Sequence, residues 1–149
     1  MNETKLKKIQ EKLQNKIVGI AGAGGLGSNA AVSLVRAGVR HIIIVDYDVV
    51  EQSNLNRQYY FSDQIGMKKV IALKKNIQRI SLNTRVDAVE LTLEKGSMHK
   101  PFIDADVIIE ALDDAETKTD FIEDVLKHLP ETPIVAASGV AGYGHSDRI

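Results

Sequence analysis

Glycines, acids and cations in this chain follow one another in an order suited to chemistry on a nucleotide. The stretch Gly22-Ala-Gly24-Gly25-Leu-Gly27 follows the apolar run Ile17-Val-Gly-Ile-Ala21 and opens a segment with helical spacing. That is the strand, turn and helix context a phosphate-binding fingerprint requires. Gly22 lets the chain turn sharply out of the strand, Gly24 and Gly25 leave backbone N–H groups open to a phosphate, and Gly27 lets the helix pack close to the sheet. A tight strand-to-helix connection without a ligand would use the same glycines. Asp46 favours the nucleotide, because it ends the next apolar run, His41-Ile-Ile-Ile-Val45, about where an acidic side chain reaches ribose hydroxyls. Beyond it lie Asp48, the stretch Ser53-Asn54-Leu55-Asn56-Arg57-Gln58, Lys69 and the pair Asp113-Asp114.

The elements that must position these groups alternate in type. Strand-like runs at 17–21, 41–45, 85–89, 106–110 and 133–137 are interleaved with helix-like stretches at 26–37, 68–81 and 116–128. The alternation predicts an α/β, Rossmann-like fold: a mainly parallel sheet with helices on both faces. In the first of these helices Gly27, Ala30, Ala31 and Leu34 form the expected apolar face, and Gly38 and Pro130 read as helix stops. Segment 91–104 is ambiguous, since Gly96 and Pro101 argue for a broken or short crossover. Residues 4–14 carry Leu6, Ile9 and Leu13 at helical spacing, which predicts a short amphipathic helix over the domain or over a partner. In the helix from Lys68, Val70, Leu73, Ile77 and Ile80 define one stripe, and about 100° per residue puts Lys69 beside it and Lys68 nearly opposite. Lys69 then flanks the buried side near a positive helix end, where a cation needs an anion to meet. Lys68, Lys75 and Arg79 read as solvated charges.

With 149 residues, 44% of them hydrophobic, the chain is long enough for one core and too short for two ordinary domains. Nineteen basic against twenty acidic residues leave a net charge of −1, so no global field draws it to nucleic acid or an anionic membrane. The absence of cysteine removes disulfides, thiolate metal sites and a cysteine nucleophile. No apolar run approaches membrane-spanning length and the N-terminus lacks a signal-peptide core, so a cytoplasmic location is expected. His41, His99, His128 and His145 share no metal-like spacing and read as surface residues, with no zinc site expected.

With Gly22-x-Gly24-Gly25-x-Gly27, Asp46-x-Asp48, Ser53-Asn-Leu-Asn-Arg57-Gln58, Gly66-x-x-Lys69 and Ala111-Leu-Asp113-Asp114 in order, the chain resembles the ThiF/MoeB family, bacterial relatives of ubiquitin-activating enzymes, and within it the short ThiF-type proteins of thiamine biosynthesis. The likeness runs from Gly19 to about Gly144. It implies an enzyme that uses Mg-ATP to adenylate the C-terminal carboxylate of a small ubiquitin-like sulfur carrier and releases pyrophosphate, and it implies a homodimer. It gives Arg57 and Lys69 to the triphosphate with Asn54 alongside, Asp46 to the ribose, Asp113 to Mg²⁺, and Asp114 to nucleotide contact.

The sequence also departs from that pattern. Asp114 stands where the family usually has Asn, adding negative charge near the phosphates. The first helix has lysines only, where many members carry an arginine that reaches a partner's nucleotide. The Cys-x-x-Cys zinc motif of some members is missing, and the part that helps bind the carrier is expected after Ile149. Each residue keeps a plainer alternative: Asp113-Asp114 as a helix cap, Arg57 as a loop ion pair, Asp48 as a turn former. Two other functions use the same glycines: a nicotinamide-dependent oxidoreductase with Asp46 on the adenosine ribose, and a nucleotide-binding module without chemistry.

Overall fold

A computed structural model describes residues 2–137. His145 and the last stretch of the family resemblance, up to Gly144, lie outside them.

Helix α1 (Glu3–Gln14) precedes strand β1 (Ile17–Ala21), helix α2 (Gly25–Ala37) and strand β2 (His41–Asp46). After two short 3-10 turns come α3 (Lys69–Ile80), β3 (Arg85–Glu90), a third 3-10 turn at Lys100–Phe102, β4 (Val107–Glu110), α4 (Ala115–His128) and β5 (Ile134–Ala136). The five strands are all parallel, in the order β3-β2-β1-β4-β5. The ambiguous segment 91–104 is thus a crossover with one 3-10 turn, seated by buried Met98 and Phe102.

The β2 run of four β-branched residues makes sense once both faces of the sheet are covered. Ile42 and Ile44 meet the α2 and α3 side with Val32, Val35, Leu73 and Ile77. Ile43 and Val45 face the other way, onto Phe102, Phe121 and Val125, where the two phenylalanine rings meet edge to face at 5.6 Å. The buried face of α2 is rotated from the sequence expectation: Gly27, Ser28, Ala31, Val32 and Val35 are inside, whereas Ala30 and Leu34 only flank it. Ser28 is tolerated there because its hydroxyl accepts the Tyr59 N–H at 3.0 Å. In α1 no residue is buried; Leu13 alone of its three apolar positions packs against the core, and Leu6 and Ile9 stay exposed.

The chain leaves β1 toward β2 on one side and β4 lies on the other. The crevice at this change of direction, outside the carboxyl ends of the strands, is where open parallel sheets bind ligands. Ala21, Asp46 and Glu110 mark those ends.

Candidate nucleotide site

Between β1 and α2 the backbone comes too close to itself for side chains. Gly22 has φ +103°, and a Cβ there would sit 2.4 Å from the Ala111 carbonyl oxygen; a Cβ on Gly27 would sit 1.8 Å from the Gly22 carbonyl oxygen. These two glycines build the turn. Gly24 and Gly25 differ, because a Cβ on either would meet nothing closer than 3.8 Å. Their side-chain space is open, as a phosphate approaching the start of α2 would need.

One residue in this turn is held from both sides, through the two peptide groups that flank it. The Ala23 N–H donates to Asp46 Oδ2 at 2.7 Å, and the Ala23 carbonyl accepts the Tyr60 hydroxyl at 2.6 Å. Burial, reinforced by Asp46, pushes the Tyr60 phenol far above its ordinary pKa, so it remains a donor. Asp46 Oδ1 accepts the Asp48 N–H at 2.7 Å. Asp46 therefore organises the turn with both oxygens, and each retains a second lone pair that can accept a hydroxyl.

A pocket of about 130 Å³ is lined by Gly22, Gly24, Asp46, Tyr47, Asp48, Lys69, Ala111, Leu112, Asp113, Asp114 and Thr117. It shares Gly22, Asp46, Tyr47, Leu112 and Thr117 with a more apolar pocket of about 190 Å³ that adds Val45, Leu91, Thr92 and Leu93. The larger groove of about 940 Å³ at Lys75–Asn83 contains none of the glycine-turn or acidic residues. Lys69 is 6% exposed, with Nζ 3.8 Å from Asp48 Oδ2, whereas Lys68 caps α3, stands half exposed and pairs with Glu90. Burial raises the Asp48 carboxyl above the usual carboxylate range; Asp46, Glu51 and Asp113 push it further, against the pull of Lys69. Four carboxylates and one lysine line this pocket, so negative charge is in surplus.

Of the residues expected from sequence, the pocket brings together Gly22, Gly24, Asp46, Lys69, Asp113 and Asp114. Asp114 also caps α4, its Oδ2 accepting the Thr117 N–H at 2.8 Å and hydroxyl at 2.9 Å, and these bonds hold its carboxyl below the usual range. Gly25 and Gly27 belong to the turn that frames the pocket. Arg57 and Asn54 do not line it. The Arg57 guanidinium folds back on the Ser53 carbonyl at 3.1 Å, and buried Asn54 caps its own 3-10 turn by accepting the Glu51 N–H at 2.8 Å.

Tyr60 and Asn29 escape a reading of sequence, and Gln58 enters it only as the last residue of a motif, without a role. Asn29 donates to the carbonyls of Gly25 at 2.7 Å and Arg57 at 2.9 Å, tying the loop after β2 to the glycine turn. Gln58 lies beside Gly24, and its Oε1 is buried with no hydrogen-bond partner. The motif that Gln58 closes is its signal in the sequence; the Tyr60 contact has none. The surface reading holds for the exposed His128 and needs correction for His99. His99 and His128 stack with centroids 4.0 Å apart, and the His99 side chain is 12% exposed against Asp124. Sequence spacing hid this because His99 and Asp124 meet only through the fold.

A family model described as the ThiF family matches residues 2–149. The chain belongs to the ThiF family. Among curated members, the SAMP-activating enzyme E1 of Haloferax volcanii is 34% identical over 73% of this chain and 41% of its own length. The adenylyltransferase and sulfurtransferase UBA4 of Eremothecium gossypii is 34% identical over 91% of this chain and 30% of its own. The chain thus spans less than half the length of either relative. Among solved structures, the E. coli tRNA N6-threonylcarbamoyladenosine dehydratase TcdA in complex with ATP superimposes with a TM-score of 0.81 and 26% identity, over 87% of this chain and 54% of that one. E. coli MccB with ATP gives 0.77 and 26%, over 85% and 38%. The ThiF-family fold agrees with the parallel five-stranded sheet described above. Among the described residues no helix is long and apolar enough to cross a membrane.

Proposed function

We propose that this ThiF-family chain carries the ATP site of an enzyme that adenylates the C-terminal carboxylate of a ubiquitin-like sulfur carrier protein, in thiamine or related sulfur-cofactor biosynthesis, and that it works as a homodimer in the cytoplasm. One observation carries the reading: Gly24, Asp46, Lys69 and Asp113 line a single pocket at the carboxyl end of a parallel sheet, at its topological switch point. The SAMP-activating and UBA4 relatives supply the carrier, and the ATP complexes of TcdA and MccB supply the nucleotide.

The reaction is a displacement at the α-phosphorus. A carrier carboxylate oxygen forms the new bond to phosphorus, the bond from phosphorus to the bridging oxygen breaks, and pyrophosphate leaves with the electron pair. A carboxylate is a weak nucleophile and the phosphates repel it, so catalysis consists of positioning and charge stabilisation. The N-terminus of α2 offers open N–H groups at Gly24 and Gly25, and buried Lys69 supplies a desolvated cation. Asp46 takes the ribose while holding Ala23, and the base enters the apolar pocket of Val45, Leu91 and Leu93. Arg57 reaches the triphosphate by swinging off the Ser53 carbonyl, with Asn54 fixing the turn behind it; Asp114 contacts the nucleotide from its capping position.

The surplus of carboxylates over Lys69 fits a divalent cation, for which oxygen donors are the proper ligands. Asp113 would hold Mg²⁺, which when bound screens the phosphate charge. The Gln58 amide nitrogen faces Gly24, and its buried Oε1, without a hydrogen-bond partner among the described residues, is an acceptor that a donor group of a bound nucleotide or a water could satisfy.

Calorimetric titration with Mg-ATP and with NAD tests the site: ATP is expected to bind more tightly, and tighter NAD binding would overturn the reading in favour of an oxidoreductase. ATP–pyrophosphate exchange with and without carrier tests the acceptor. Exchange stimulated by a tRNA and not by any carrier would move the activity toward that of the TcdA relative.

A further inference from the structure

We propose that His99, Asp124 and His128 form a binding site for one divalent transition-metal ion of the zinc class, at the end of α4 remote from the nucleotide pocket. The proposal is independent of the adenylation reading. The three side chains bring two imidazole nitrogens and one carboxylate within 4.8 Å of one another. Asp124 is 7% exposed, so its charge is already out of water and is compensated by the two rings: Oδ2 accepts from His99 Nδ1 at 2.7 Å and Oδ1 lies 3.2 Å from His128 Nδ1. The His99 backbone N–H also donates to Oδ2 at 2.7 Å, which fixes the carboxylate.

Tetrahedral zinc at about 2.0–2.1 Å from each donor places its ligands roughly 3.3 Å apart. The two nitrogen-to-carboxylate edges end on different oxygens: His128 Nδ1 to Oδ1, at 3.2 Å, matches that spacing, and His99 Nδ1 to Oδ2, a hydrogen bond of 2.7 Å, must open by about half an ångström. What must change is the ring pair, because two parallel imidazoles, 7° apart, cannot aim in-plane lone pairs at one ion. His128, the last residue of α4 with its side chain 37% exposed, can tilt by giving up the 3.1 Å contact of its Nδ1 with the Asp124 carbonyl. Each ring then carries its proton on Nε2 and presents Nδ1 to the metal, so neutral rings need only exchange tautomers through water. Two imidazoles and a carboxylate suit zinc, cobalt or nickel better than magnesium or calcium. Beside the cluster a pocket of about 260 Å³, lined also by Lys95, Asp120, Glu123 and Lys127, gives an ion access and leaves room for water at a fourth position. Lys95 and Lys127 oppose a cation, which, with the cost of unstacking the rings, sets the expected affinity in the micromolar range.

The ion would pin the end of α4 to the segment that leads into β4. Tag-free, metal-depleted protein titrated with zinc by calorimetry is expected to take up one equivalent, and cobalt should give the intense visible bands of a tetrahedral site. His128→Ala and His99→Gln should each weaken binding at least tenfold, with folding checked by circular dichroism, while His41→Ala leaves it unchanged. Zinc should raise the melting temperature of the wild type and not that of His128→Ala. Failure to bind zinc below millimolar concentration, or His128→Ala binding as tightly as wild type, would overturn the proposal and reduce the cluster to a hydrogen-bonded clamp.

Discussion

At the scale of single residues, the adjacent pair Lys68 and Lys69 sets the proposed chemical role against a surface one. Lys69 is buried at the pocket, while Lys68 is exposed against Glu90. Removing a well-placed donor of charge stabilisation typically lowers rate by about 10²–10³. Lys69→Ala is therefore expected to reduce ATP–pyrophosphate exchange by that factor, with Arg57→Ala similar and Lys68→Ala within about twofold of wild type, as an exposed ion pair contributes little. Equal losses at Lys68 and Lys69 would refute the assignment. Tyr60→Phe offers a finer test. It removes only the hydroxyl on the Ala23 carbonyl, and the buried acceptor left behind costs about 1–3 kcal/mol, read as a lower urea midpoint with weaker ATP binding in step.

Among the elements, the glycine turn divides by function. Gly22→Ala and Gly27→Ala drive a Cβ into backbone oxygen at 2.4 and 1.8 Å, and each should cost about 3 kcal/mol or more, visible as loss of cooperative unfolding at ambient temperature. Gly24→Ala has open space and should fold with near wild-type stability while binding ATP at least tenfold more weakly; normal ATP affinity would show that no phosphate rests there. β3 gives a pH test. Burial resists the ionisation of Asp87, yet hydrogen bonds from His41 and Arg85 together outweigh it and hold the carboxyl below the usual range. A carboxylate more acidic when folded adds stability above its unfolded value near 4, and that stability is lost as pH falls through the folded value. Asp87→Asn should thus melt below wild type at pH 7, the gap closing at the acid end of a melting series. The elements themselves were legible because periodicity survives packing: Val70, Leu73 and Ile77 are buried as their spacing implied. The phase of α2 was not, since small Ser28 could go inside only with Tyr59 to receive it.

For the whole molecule, the carrier reading predicts that exchange requires a free C-terminal carboxylate. A carrier ending in an amide should bind without supporting exchange, and activity with the amide would exclude acyl-adenylate formation at that terminus. The parallel sheet wrapped by helices followed from alternating runs, and the acids of the pocket from their place at or after strand ends, all local signals, whereas the strand order was not read from the sequence. What sequence concealed was every contact made across the chain: Tyr60 to Ala23, Asn29 to the Arg57 carbonyl, and His99 to Asp124. None has a spacing rule, because the fold rather than the helix or strand repeat sets their separation.

The central place of β1 also bears on how the protein is made. β1 leaves the ribosome before both of its neighbours, β2 and β4, so one of its edges has no hydrogen-bonding neighbour until Val107–Glu110 has been synthesised. Parallel pairings of such long range form slowly and expose strand edges meanwhile. The growing chain must carry an apolar, open-edged sheet until β4 has been synthesised. The pocket wall at Asp113 arrives only after β4 closes that edge, so nucleotide cannot assist the earlier folding steps, and the protein should depend on chaperones most during the synthesis of residues 47–106.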